Sequence, residues 1–273
     1  MERVGFFRGV SLALLAVLAV LAVLGAACAG ALLTPEARQA LAPSGKLRVG
    51  VYQGSPTSIV GDPASGSAKG VGFDLGRELA RRAGLAFEPV VFSKNADLLA
   101  AVKAGAVDMS FTNATSARMM DMDFSAPVFD VEQGYLVPPQ SRLARSDDID
   151  APGVRVGVSE GSTSEATLPR LFKHASIVHT PTLKAAVDLL ATGQIDAFAT
   201  NKAILYEMAD SLPGSTVLAG RWGLEHFAIA IPKGRRAAMS YVDAFVADAK
   251  AQGVVARTVE RAGLRGTVAA EAR

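Results

Sequence analysis

Gly105-Ala106-Val107-Asp108-Met109-Ser110-Phe111-Thr112-Asn113 returns later in the chain as Gly193-Gln194-Ile195-Asp196-Ala197-Phe198-Ala199-Thr200-Asn201. Each copy is a glycine, a short apolar strand and a closing Thr-Asn pair. Each follows an amphipathic helix with apolar residues in the same register: Leu98, Leu99, Ala101 and Val102 before the first, Ala186, Val187, Leu189 and Leu190 before the second. A helix leading into a strand, twice over, predicts an α/β fold in which each lobe is an open sheet. Open α/β sheets bind ligands at the carboxyl ends of their strands. Two such edges facing one another, with Thr112-Asn113 on one and Thr200-Asn201 on the other, make a clamp for a small molecule.

Outward from these stretches the chain repeats itself again. Leu47-Arg48-Val49-Gly50-Val51 is echoed by Val154-Arg155-Val156-Gly157-Val158, and each opens its own series of alternating strands and helices. Strands are predicted over 47–51, 87–92, 134–138, 154–158, 176–179 and 227–231. Helices are predicted over 75–83, capped by Asp74, and over 96–104, 164–172, 183–191, 237–251 and 254–262. Residues 55–69 read as a Gly/Pro/Ser-rich loop with turn chemistry at Gly61-Asp62-Pro63. This order places lobe 1 at 46–137 together with 229–273, and lobe 2 at 138–228. The chain then crosses between lobes twice, as a hinge requires.

A chain of 273 residues that is 50% hydrophobic and 20% charged is ordinary globular material, long enough for two cores, which excludes disorder. The net charge of +2, with no Lys/Arg run interleaved with aromatics, excludes nucleic acid as a partner. At the N-terminus Arg3 and Arg8 precede an uncharged apolar run over 10–24, followed by Gly25-Ala26-Ala27-Cys28-Ala29-Gly30-Ala31. This is the pattern of a secretory signal, expected over 1–31, with 32–45 as a linker to the folded lobes. The alternative is a retained membrane anchor, since the run approaches the roughly 20 residues of a spanning helix. Cys28 is the only cysteine, so no intrachain disulfide forms. Leu24 precedes it by one position more than a lipoprotein signal normally allows, which disfavours lipidation and leaves Ala29-Gly30-Ala31 as an ordinary cleavage site.

The run Gly70-Val71-Gly72-Phe73-Asp74-Leu75, the segment 99–108, the spacing Thr115-x-x-Arg118 ahead of Asp123-Phe124-Ser125-Ala126-Pro127, and the strand 193–197 together resemble one family. It is the extracellular solute-binding proteins of polar amino acid ABC transporters, family 3, and the resemblance covers 46–263. It implies a two-lobed, periplasmic-binding-protein-like (type II) fold. It also implies a periplasmic receptor, a monomer without cofactor or catalytic residue, that traps a small anionic or amino-acid-like solute by hinge closure and presents it to a membrane permease. Two other classes stay open. One is an enzyme on the same fold like cyclohexadienyl dehydratase, a lyase needing a cleft general acid, for which Glu225 and Glu165 are candidates. The other is a ligand-sensing partner of a membrane receptor.

Arg118 stands just past the first Thr-Asn pair, where a guanidinium can make two parallel hydrogen bonds to a carboxylate. The resemblance puts the family's carboxylate-binding arginine there; charge pattern alone pairs it with Asp121 or Asp123. Ser162 and Glu165 fit a capping box, and with Thr163 they open a helix whose first N–H groups and dipole favour an anion. The resemblance assigns this turn a share of the ligand carboxylate. Counted from Asp196, the family's ammonium-binding aspartate is replaced by Asn201, and the aromatic pair of the first loop is replaced by 53–58, leaving Tyr52 as the one nearby ring. With Thr112, Asn113, Thr200 and Asn201 the pocket is polar and mostly uncharged. An anion without a protonated amine fits it at least as well as an amino acid. His174, His179 and His226 are too scattered for a metal site. Trp222 either lines the cleft or packs locally, Glu225 is a cleft acid with no visible partner, and Met119-Met120 is packing material rather than a cofactor box.

Overall fold

The structure is a computed structural model that describes residues 33–268, so the expected signal and Cys28 lie outside the described residues. In chain order the elements are α1 (Pro35–Leu41), β1 (Lys46–Tyr52), α2 (Val71–Ala83), β2 (Ala86–Phe92), α3 (Asn95–Lys103), β3 (Met109–Asn113), the single turn α4 (Ser116–Met119), β4 (Met122–Phe124) and β5 (Phe129–Val137). There follow β6 (Arg155–Ser159), α5 (Thr163–Leu171), β7 (Ser176–Thr180), α6 (Leu183–Ala191), β8 (Ala197–Asn201), α7 (Lys202–Ser211), β9 (Thr216–Val217), β10 (Gly223–Pro232), α8 (Arg236–Ala251), α9 (Val254–Ala262) and β11 (Thr267–Val268).

The strands run in the order β2-β1-β3-β10-β5-β8-β6-β7, which reads alike from either end. At one end β1 lies parallel between β2 and β3; at the other β6 lies parallel between β7 and β8. Between them β10 and β5 are antiparallel to each other and to their outer neighbours. Both change partner midway. β10 pairs with β5 through Gly223–Phe227 and with β3 through Phe227–Ala230, while β5 pairs with β8 through Gln133–Leu136. β5 and β10 are thus the two strands of the sheet that link the outer parallel trios.

The repeated motifs fold by the same contacts. In the first, Asp108 receives the backbone N–H of Arg48 at 3.0 Å and its guanidinium at 2.9 and 2.7 Å, and Arg48 Nη2 reaches the carbonyl of Gly105 at 2.8 Å. In the second, Asp196 receives the backbone N–H of Arg155 at 2.8 Å and its guanidinium at 2.9 and 2.9 Å, with the Gly193 carbonyl at 2.7 Å. The aspartate of each copy thus clamps the strand before it, which aligns the carboxyl ends of the strands at the Thr-Asn pairs. Beneath the first pair, the Phe227 ring stacks on those of Phe111 and Phe129 at 5.5 and 5.8 Å between centroids, and Phe111 and Phe129 meet tilted at 5.4 Å.

Four expectations are corrected. Asp74 is no cap: the helix starts at Val71, because the carbonyls of Pro56, Thr57 and Ser58 accept the N–H groups of Val71, Gly72 and Phe73 at 3.0–3.1 Å. The loop backbone does the capping, and Asp74 instead pairs with Arg77 and Arg261. The stretch read as a linker contains α1, whose Leu41 is fully buried in the lobe core. β5 and β10 begin well before 134 and 227, because their polar residues are paired inside the protein: Asp130 with His226, Glu132 with Lys202. Finally α7 was not foreseen. Asn201, the last residue of β8, also caps that helix by accepting the Ile204 N–H at 3.2 Å.

Candidate ligand-binding site

All eight residues singled out from the sequence, Tyr52, Thr112, Asn113, Arg118, Ser162, Thr163, Thr200 and Asn201, line one cavity. It lies where the carboxyl ends of β3 and β8 face each other, and the crossing strand β10 contributes Glu225 and Phe227. The cavity is small, about 50 Å³, against the roughly 300–1,000 Å³ of common ligand pockets. Its two sides already touch.

Those contacts centre on the Gly161 carbonyl, which accepts Arg118 Nη2 at 2.9 Å and Asn95 Nδ2 at 2.8 Å. Arg118 Nη1 donates to Thr112 Oγ1 at 2.8 Å and to the Asn113 carbonyl at 3.2 Å. Asp121 and Asp123 are taken by Lys103 and Lys233, at 2.8 and 2.9 Å, so Arg118 is left to the cleft. Thr115 fixes its backbone by capping α4. Burial pushes the Arg118 guanidinium below its ordinary range, and the charge of Glu225 acts the other way.

The two asparagines are oriented alike. Asn113 Oδ1 accepts the backbone N–H of His226 at 2.8 Å and its Nδ2 donates across the cleft to Thr163 Oγ1 at 3.0 Å. Asn201 Oδ1 is held by the Ile204 N–H, so its Nδ2 points inward and donates to Glu225 Oε2 at 2.9 Å. Gln133 Nε2 donates to the other oxygen, Oε1, at 3.1 Å. Glu225 is 6% exposed. Burial pushes its carboxyl above the usual carboxylate range, opposed by Arg118 and by hydrogen bonds from Thr163, Asn201 and Gln133.

Ser162 caps α5 by accepting the Glu165 N–H at 3.1 Å, and Glu165 reaches back to the Gly161 N–H at 2.6 Å. The reciprocal box therefore closes one residue earlier than expected. Glu165 also meets His179 Nδ1 at 2.8 Å and takes no part in lining the cavity. Trp222 does not line it either: its Nε1 donates to the Gly134 carbonyl at 3.0 Å and its ring packs against Tyr135. The sequence reading did not single out Asn95, Ser55, Thr57, Ser58 or Ser159. Ser55, Thr57 and Ser58 sit in the first loop, and their signal was the polar run that stands where aromatics were sought. The hydroxyls of Tyr52 and Ser159 are buried without a hydrogen-bond partner of ordinary length. Among the described residues no cluster of His, Cys, Asp and Glu is arranged to hold a metal.

The sequence model of the bacterial extracellular solute-binding proteins, family 3, matches residues 47–263. The chain belongs to that family. An ABC transporter glutamine-binding protein of Bacillus subtilis is 26% identical to this solute-binding protein over 197 residues, 70% of this chain and 71% of the relative. The fold matches the solute receptor for L-cysteine of Neisseria gonorrhoeae with a TM-score of 0.74 at 23% identity, over 84% of this chain and 93% of the receptor. It also matches an ancestral amino acid-binding protein, a precursor of cyclohexadienyl dehydratase, with a TM-score of 0.69 at 25% identity, over 81% and 96% of the two chains. These relatives are two-lobed binding proteins, and this member of the family is a solute-binding receptor.

Proposed function

We propose that this solute-binding protein is the extracytoplasmic receptor of an ABC-type uptake system, and that it captures an amino-acid-like carboxylate between two lobes by hinge closure. By the sequence boundaries lobe 1 comprises 46–137 with 229–273 and lobe 2 comprises 138–228, and the change of partners along β5 and β10 supports a hinge slightly earlier, within those strands. The observation that carries this reading is the convergence of Arg118 and the Ser162-Thr163 turn, from opposite halves of the chain, on one cavity. A guanidinium and a helix N-terminus are both anion donors, and a carboxylate between them satisfies both at once. Relatives named for binding glutamine support a ligand of amino acid size. Export by the 1–31 signal places the receptor in the periplasm, where it delivers its ligand as a monomer to a membrane permease; a lipid at Cys28 is not needed for that role.

The test is a thermal-shift and calorimetric screen of the purified protein against L-amino acids, keto acids and dicarboxylates. One of them raises the melting temperature, since a ligand that binds only the folded clamp stabilises it. Arg118→Ala lowers the affinity for that compound by about a hundredfold or more, as expected for loss of a buried charge-assisted pair. Full affinity in the variant rules out the carboxylate assignment, and a screen with no hit in any class rules out the receptor reading.

A further inference from the structure

Glu225 is the acid for which the sequence showed no partner, and the structure gives it three hydrogen-bond partners, Gln133, Asn201 and Thr163, all uncharged. Gln133 and Asn201 stand opposite one another in the β5–β8 register, while Gly223, two residues before Glu225, stands opposite Gln133 in the β5–β10 register. The sheet therefore brings both amides to one carboxylate, and the helix cap that holds Asn201 Oδ1 leaves its Nδ2 no other direction. Amide donors orient a carboxylate without neutralising it, and an ionised carboxylate in a dry site is costly until it meets a cation. A carboxylate accepts about four hydrogen bonds. Gln133 and Asn201 account for one on each oxygen and Thr163 for a third, and the cavity that Glu225 lines also holds Arg118 and the buried Tyr52 and Ser159 hydroxyls, which lack a hydrogen bond of ordinary length.

One cavity thus presents a guanidinium and a carboxylate, both fixed in place. A molecule with only a negative charge satisfies the first and leaves the second buried without a cation from the ligand. A molecule with an anionic and a cationic group on neighbouring atoms satisfies both. We propose that Glu225, oriented by Asn201 and Gln133, receives the ammonium group of an α-amino acid whose carboxylate lies on Arg118. This rests on the receptor reading above and narrows it from small carboxylates to zwitterions. Asn201 then acts as a positioning residue: the charge it lacks is supplied from β10.

Calorimetry on the purified protein tests it with paired probes, each primary-amine L-amino acid against the same acid without its amine: L-glutamine with glutaramate, L-histidine with imidazolepropionate, L-arginine with guanidinovalerate, L-cysteine with mercaptopropionate, and so on through the set. The amino acid that binds does so about a hundredfold more tightly than its deaminated partner, the scale of a buried charge-assisted hydrogen bond. Glu225→Gln, which keeps the shape and removes the charge, weakens the amino acid by a similar factor and leaves the deaminated acid within about threefold of its wild-type affinity. Equal binding of the two probes by the wild-type protein overturns the proposal, and that comparison needs no variant to fold. So does a Glu225→Gln protein that keeps the amino acid, or one that loses both probes alike. Hits confined to keto acids or dicarboxylates overturn this proposal and leave the receptor reading standing; no hit in any class overturns both.

Discussion

Asp108 and Asp196 occupy the same place in the two repeats and make the same bonds, but they differ in surroundings. The Asp108 side chain is fully buried and shared between Arg48 and Arg235; that of Asp196 is 35% exposed and faces Arg155 alone. Breaking a buried pair costs about 3–5 kcal/mol and an exposed one about 0–1. Asp108→Asn is therefore expected to lower unfolding free energy by about 3 kcal/mol and Asp196→Asn by less than about 1, read from urea titrations. Burial acts to raise the Asp108 carboxyl, but hydrogen bonds from Arg48 and Arg235 outweigh it and hold it below the ordinary range. A carboxyl depressed in the folded state stabilises above its unfolded value and loses that contribution as pH falls toward the folded one. The gap between wild type and Asp108→Asn accordingly shrinks below about pH 4; a gap constant down to acid pH counts against the ion pair. Such residues were legible in the sequence as a motif but not as a contact. The same holds at the cleft, where Arg118 and Glu225 were both readable as candidates, while the partners of Glu225 were not, because Gln133, Asn201 and Thr163 come from two other strands and a helix.

The turn before α5 shows how one element joins the two sides of the cleft. Gly161 has a φ of +74°, a region that residues with a Cβ adopt at a cost of roughly 1–2 kcal/mol. A Cβ added there stands 2.9 Å from the Cα of Ala96 on α3. The φ cost is paid whether the cleft is open or shut, whereas the clash with Ala96 exists only when the halves meet. Gly161→Ala is thus expected to weaken ligand affinity about tenfold, close to 1.4 kcal/mol, and to enlarge the ligand-free radius of gyration in X-ray scattering. An unchanged affinity argues that the turn and α3 do not close on one another. Elements with plain periodicity were legible: α6 has the bounds 183–191 expected of it, and α9 those of 254–262. Those missed were hidden by pairing. The charges at the start of β5 and β10 break the apolar pattern and are satisfied only by distant partners, Glu132 by Lys202 and Asp130 by His226, and α7 follows a strand so closely that Asn201 serves as the end of one and the start of the other.

At the scale of the whole molecule, the sheet order places two antiparallel strands between two parallel trios, so every path from one side of the cleft to the other within the sheet runs through β5 and β10. In the proposed hinge closure, bending those two strands moves the trios as units. C-terminal residues fasten one of them: β11 pairs with β5 at Val131 and Asp130, and the Gly266 carbonyl accepts the Glu132 N–H at 2.9 Å. Ligand binding shifts the balance between open and closed arrangements only by as much as it favours the closed one. Here the direct bonds from Arg118 and Asn95 to Gly161 already favour closure, so a ligand adds to a bias that exists without it. At about a hundred times its dissociation constant a ligand stabilises the fold by roughly 2.7 kcal/mol, which for a chain of this size raises the melting temperature by roughly 5–10 °C. If both trios hold the ligand, as proposed, the whole fold is expected to melt later in one transition rather than one lobe alone. Differential scanning calorimetry distinguishes the cases: a single peak that moves upward supports closure across both trios, whereas a peak that splits, with one component unmoved, shows that the ligand is held by one side only.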